Sequence, residues 1–173
     1  EVKDHWLSLA YPWDLLDATA YLMKKKKQEE ISGTREKGTR KSGRLFLGKG
    51  SVIKKGSVIK GNVVIGKDCV IGPNCSITDS IIMDGAVIGE GSVITDSVIG
   101  ESCVLGKDVK TLTQDDGKNI TSVVKGKKID TGRKSLGVFL GDGVKAAEGL
   151  VFSPGIKITS GKTLKKGNIM KDI

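Results

Sequence analysis

Residues 51–105 read SVIKKGSVIKGNVVIGKDCVIGPNCSITDSIIMDGAVIGEGSVITDSVIGESCVL. A large aliphatic side chain returns at Ile53, Ile59, Ile65, Ile71, Ile77, Ile82, Ile88, Ile94, Ile99 and Leu105. Leu47 opens the series, and every step is six residues long except two of five. Two positions before each aliphatic stands a small or short residue such as Ser51, Ser57, Cys69, Cys75, Ala86 or Cys103, and one position before it stands mostly valine. Side chains alternate across a strand, so the triplet reads small inward, valine outward, large inward. The residues between triplets are Gly, Lys, Asp, Glu, Asn and Pro, which make turns. Each unit is therefore a very short strand and a tight corner, and three units close a coil of about 18 residues. The shortened steps, Ile77-Thr78-Asp79-Ser80 and Ile94-Thr95-Asp96-Ser97, lie 17 residues apart and so stack on one edge of a triangular prism. The fold predicted is mainly β, a parallel β-helix of hexapeptide repeats.

The pattern stops near Lys110 and resumes at Leu140, Ala146, Phe152, Ile158, Leu164 and Met170. The insertion between, at about 110–137, holds two β-prone runs, Ile120–Val124 and Lys127–Ile129, joined by Lys125-Gly126, which predicts a projecting hairpin. After Pro12, Leu15, Leu16, Ala18, Leu22 and Met23 follow helical spacing, so a short helix is expected over 12–23. Outward Phe46, Val64, Ile81 and Val98 form an apolar row on one face of the prism, and Val52, Val70, Val87 and Val104 form another. Such rows ask for a partner.

The chain has 173 residues, 24 of them glycine, and a net charge of +9. The charge is local: residues 24–67 carry 14 basic and 3 acidic side chains, whereas 68–109 carry 1 basic and 7 acidic. The basic stretch 24–44 has no aromatic residue to stack on bases and reads as a solvated linker, with no nucleic-acid role expected. No apolar run approaches the ~18 residues of a membrane span. Cys69, Cys75 and Cys103 lack metal or redox spacing and fit inward fillers in a reducing, cytoplasmic setting, and no metal site is expected. Gly-x-Gly at Gly48, Gly89 and Gly141 falls on corners, which favours turns over a phosphate cradle.

The hexads resemble the left-handed β-helix of the hexapeptide-repeat acyltransferases, and the left hand comes from that resemblance alone. Two flanking stretches sharpen it. WLSLAYPWDLLDA, Trp6–Ala18, looks like the closing segment of a sugar-1-phosphate nucleotidylyltransferase domain. Asp116-Gly117-Lys118, Lys125-Gly126-Lys127, Asp130-Thr131-Gly132-Arg133-Lys134 and Leu140-Gly141-Asp142 look like the loop and returning coil of archaeal GlmU-like bifunctional enzymes. The resemblance implies residues 1–23 as the tail of an upstream nucleotidylyltransferase domain and a β-helix over 45–173; it does not cover 24–44, which the composition assigns to a basic linker. It also implies homotrimers through the prism faces, and acetyl-CoA with an amino-sugar phosphate as ligands. The sequence starts at Glu1 rather than Met, which reads as a piece of a longer chain.

N-acetyl transfer needs a base to take the amine proton, a task suited to histidine. The single histidine is His5, far from the coils. Where related enzymes place a histidine after a Met-Asp-Gly corner, this chain has Met83-Asp84-Gly85 and then Glu90. Glu90 is the candidate substitute base, and Lys118, Arg133 and Lys134 are the candidates to meet phosphates of substrate or CoA. The expected function is assembly and scaffolding in a nucleotidylyltransferase with a degenerate acetyltransferase site. The alternative is a working acetyl-CoA-dependent N-acetyltransferase acting on glucosamine- or galactosamine-1-phosphate.

Overall fold

The computed structural model describes residues 8–26, 29–114, 116–165 and 167–169. The short strands stack in parallel register into a solenoid with three faces. The first face stacks Glu30–Ile31, the C-terminal halves of Arg40–Leu47 and Val58–Ile65, then Ile81–Ile82, Val98–Ile99, Phe139–Leu140 and Lys157–Ile158. The second is a 7-stranded sheet running from Thr34–Arg35 through Val52–Ile53, Val70–Ile71, Val87–Ile88, Val104–Leu105 and Lys145–Ala146 to Thr163–Leu164. The third carries the N-terminal halves of the two long strands, Ser76–Thr78, Val93–Thr95, Lys110–Thr111, Val151–Phe152 and Asn168–Ile169. The parallel β-helix architecture is as expected.

The core is the inward column itself. Ile53, Ile59, Ile65, Ile71, Ile77, Ile82, Ile94 and Ile99 are all at 0% exposure. The small inward residues do more than fill space. Ser57 Oγ donates to Gly72 O at 2.8 Å and accepts from Cys75 N–H at 3.1 Å, which ties one coil to the next. Ser51 and Ser92 repeat the arrangement. The thiols of Cys69, Cys75 and Cys103 donate likewise to Met83 O, Gly89 O and Gly141 O. Burial pushes all three thiols up, so they are inert interior donors.

The solenoid starts earlier than expected. The stretch 24–44, read as a linker, contains strands from Glu30 onward, and these pair in register with the second coil. Its signal is hidden because this is a capping coil: Arg35 and Lys41 stand in register with Ile53 and Ile59. The Lys41 ammonium is held by Glu29 at 2.6 Å and by Gly43 O at 2.7 Å. A terminal coil needs such a polar outer layer. The pattern also runs further than expected before the insertion, since Thr111 is paired through its neighbour Lys110 to Val93 and is 6% exposed. Its hydroxyl accepts Thr95 N–H and donates to Thr95 O.

Corners are built from glycine beneath a short polar side chain. Asp84 Oδ1 accepts Lys67 N–H at 2.7 Å, and a Cβ at Gly66 would collide with that same oxygen. Asp79 over Gly61 and Asp142 over Gly100 repeat the pairing, bonding Asn62 N–H and Glu101 N–H. At the third-to-first-face edge, Gly43 and Gly61 have φ of 108° and 67°, and the two shortened corners put Asp79 and Asp96 there at 42° and 47°. Aspartate tolerates this region because its short side chain bonds locally.

Helix α1, Asp14–Lys25, runs two residues later than the sequence suggests. Asp14 carboxylate accepts N–H from Ala10 and Tyr11 at 2.8 Å and turns the chain into the helix. Asp14 and Asp17 in the first turn and Lys24 and Lys25 in the last complement the helix dipole. The hairpin forms as expected from Thr121–Val124 and Lys127–Asp130, with Lys125 and Gly126 at φ of 49° and 76°. His5, Trp6 and Met170 lie outside the described residues, and the residue in register with Phe152 is Ile169 where the sixfold spacing pointed to Met170.

Candidate functional site at the prism edges and the insertion

Glu90 sits on the corner between the second and third faces, in Gly89-Glu90-Gly91. Its backbone is fixed: its carbonyl accepts Asp108 N–H at 2.8 Å, and its N lies 2.7 Å from where a Gly72 Cβ would stand. Its carboxylate is exposed and 3.7 Å from Lys107 Nζ, the lysine of the next corner. Both side chains are about half exposed or more, at 47% and 66%, so the pair is weak and solvated.

The phosphate candidates come together at the neck of the hairpin. Ile120 N–H donates to Arg133 O at 2.7 Å, Thr131 N–H donates to Ile120 O at 3.0 Å, and the Thr131 hydroxyl reinforces that bond at 2.7 Å. Lys118 and Lys134 are exposed on either side of this neck. Arg133 differs from them, because its guanidinium donates to the Asp17 carboxylate of α1. Its side chain lines a cavity of about 180 Å³ with Asp17, Thr19, Asn62, Asp79 and Asp96. Arg133 thus faces three carboxylates, which leaves little positive potential for an incoming phosphate. In the same cluster the Ser135 hydroxyl donates to the Asp96 carboxylate. Burial pushes the Asp96 carboxyl above its ordinary value, against the pull of the Ser135 bond, and Asp79 adds to the rise.

The residue that sequence reasoning missed is Trp13. It is 3% exposed, stacks on Tyr11 at 4.7 Å between centroids and meets Phe139 edge-on at 6.1 Å. It shares one buried cluster with Ile81, Val98 and Phe139 of the first face and with Ile120 and Leu136 of the insertion. The apolar row on that face is therefore covered by the chain's own N-terminal segment and insertion. Among the described residues no other segment covers the second face in this way, and Val104 there is 42% exposed. The signal in the sequence is a tryptophan beside Pro12 at the start of the helix, and nothing local says which face it meets.

Among the described residues no three His, Cys, Asp or Glu side chains are grouped to hold a metal ion, and no helix is long and apolar enough to cross a membrane.

A search of curated protein sequences finds no match. Among solved structures, the chain is similar to the acetyltransferase domain of PglB from Neisseria gonorrhoeae FA1090 in complex with acetyl coenzyme A. The TM-score is 0.57 at 18% identity, over 78% of this chain and 54% of that one. The chain thus spans about half the length of that domain. It is also similar to the polysialic acid O-acetyltransferase OatWY, with a TM-score of 0.51 at 17% identity over 84% of this chain and 79% of that one. At these identities the likeness is one of fold. Residues 42–173, most of the solenoid and the whole insertion, match the family described as the GMPPB C-terminal domain, and the chain belongs to that family.

Proposed function

We propose that this chain is the C-terminal solenoid of a sugar-1-phosphate nucleotidylyltransferase, that it holds and assembles catalytic domains, and that its acetyltransferase site is degenerate. The observation that carries this reading is Glu90. At the position that the resemblance to the acetyltransferases matches to their histidine, the chain presents an exposed carboxylate beside Lys107. A base for amine attack works best with its proton affinity near neutral and its position enclosed, and an open corner supplies neither. The family membership of residues 42–173 supports the nucleotidylyltransferase assignment. The N-terminal segment seated on the first face supports a physical joint to an upstream domain. The uncovered valine row of the second face supports assembly into a homotrimer. Buried, unpaired thiols favour a reducing, cytoplasmic setting.

The alternative, an acetyl-CoA-dependent N-acetyltransferase on an amino-sugar 1-phosphate, draws support from acetyl coenzyme A in the similar PglB domain. It would use Glu90 as base and Lys118, Arg133 and Lys134 toward phosphates. Incubation with acetyl-CoA and glucosamine-1-phosphate or galactosamine-1-phosphate, followed by thiol release, separates the two. The scaffold reading expects no release above the uncatalysed rate. Turnover that Glu90→Gln abolishes would establish the alternative.

A further inference from the structure

We infer that the N-terminal segment is a clasp for the insertion, so that residues 8–26 and the hairpin are held on the prism, or released from it, together. Three observations meet here. First, Trp13 completes a buried cluster to which the first face gives Ile81, Val98 and Phe139 and the insertion gives Ile120 and Leu136. Second, Asp17 of α1 pairs with Arg133, whose backbone closes the hairpin neck by accepting Ile120 N–H and donating to Thr131 Oγ1. Third, neither element is self-sufficient. Helix α1 has no buried residue of its own, and a two-stranded hairpin in isolation is marginal in water.

The hairpin is otherwise moored at its base. Leu136 N–H donates to Thr113 O, Gly137 N–H to Asp96 O, and Gly155 N–H to Leu136 O and Gly137 O. These bonds fix the returning strand but not the arm beyond Arg133. The arm is held by the cluster around Trp13 and the Asp17 pair, together with the contact of Ile120 and Thr121 against Gly155. Linkage makes this reciprocal: whatever lifts the N-terminal segment loosens the hairpin, and whatever grips the hairpin steadies the segment. A change in the position of residues 8–26 is in this way passed to side chains more than a hundred residues further along the chain.

Amide hydrogen exchange on the full chain tests the clasp. Trp13→Ala is expected to speed exchange across 120–131 by roughly a hundredfold, the scale of a lost core aromatic. Asp17→Asn, a gentler change at a partly exposed pair, is expected to speed it by about two- to fivefold. Ile120→Ala is expected to speed exchange in α1. Protection at Ile88 and Ile94, on the second and third faces away from the cluster, should stay as it was. Unchanged exchange over 120–131 in both Trp13→Ala and Asp17→Asn overturns the inference. So does a rise of the same size in the coils, which would mean general loosening instead of coupling.

Discussion

At the scale of single residues, the glycines and aspartates of the corners work as pairs. The glycine excess is legible in the sequence as turns, and that reading is incomplete. Gly66 is needed less for its own dihedral than for the room it leaves to the Asp84 carboxylate one coil away. Gly66→Ala is expected to lower stability by about 1–3 kcal/mol, the usual cost of overpacking, in urea denaturation. Removing the Asp84 carboxylate would not rescue it, because the Asp84 backbone N also lies 2.8 Å from the added Cβ. Asp96 gives a pH-dependent prediction. Its carboxyl is raised by burial, so the native state binds its proton more tightly than the unfolded chain. The resulting stabilisation is full below the ordinary carboxylate range and is lost as pH rises through the raised native value. Asp96→Asn, which keeps an acceptor for the Ser135 hydroxyl, removes this dependence. The stability of the parent relative to the variant should therefore fall as pH rises from about 4 upward, measured by urea midpoints. Glu29 acts in the opposite sense, because its hydrogen bond from Lys41 lowers its pKa and the associated stability is lost as pH falls. The comparison with the variant is what isolates Asp96.

At the scale of elements, the hexad signal succeeds from Leu47 to Leu105 and from Leu140 to Leu164, and fails in the capping coil, where the ladder residue is polar and where the last step shortens to five. Ile53 through Leu105 could be placed from spacing alone, whereas Lys41 and Thr111 occupy ladder positions that hydrophobicity cannot mark. The first fails because a terminal coil needs a polar cap, the second because its hydroxyl is satisfied by Thr95. The hairpin was legible because Lys125-Gly126 suits two successive left-handed residues. The serine column was legible as small, but its bonding was not. Ser57→Ala leaves Gly72 O and Cys75 N–H without this shared partner inside the prism. It is expected to cost about 1–3 kcal/mol, the penalty for buried polar groups left unmade, seen as a lower thermal midpoint. A serine-to-alanine change at an outward, half-buried strand position such as Ser76 should cost far less.

At the scale of the whole molecule, the three faces have different fates, and that difference could not be read from periodicity. The rows beginning at Phe46 and at Val52 look alike in sequence. The first is covered because Trp13 and Leu136 come to it from opposite directions along the chain. The pairing of Asp17 with Arg133 is equally invisible to local pattern, since nothing in either neighbourhood names the other. It changes the standing of Arg133 from free cation to structural partner, while Lys118 and Lys134 remain exposed. If the chain assembles as proposed, the second face is the one that the described residues leave open to a partner. On that proposal Val104→Lys, in its exposed row, is expected to reduce the mass in light scattering from that of a trimer to that of a single chain, with circular dichroism unchanged. A trimer that persists in this variant would move the interface elsewhere.

The place where the insertion leaves the solenoid has a consequence for how this chain can vary. Leu112 and Gly137 flank it, and Gly137 N–H bonds Asp96 O in the corner beneath. Joining Leu112 directly to Gly137 would make the step from Thr111 to Leu140 five residues, the same length as the steps that end at Ile82 and Ile99 in the two preceding coils. The register of every later strand would be preserved. The corner is thus neutral in register, so a segment can be exchanged there without reindexing the coils that follow, although the first face loses the cover of Ile120 and Leu136.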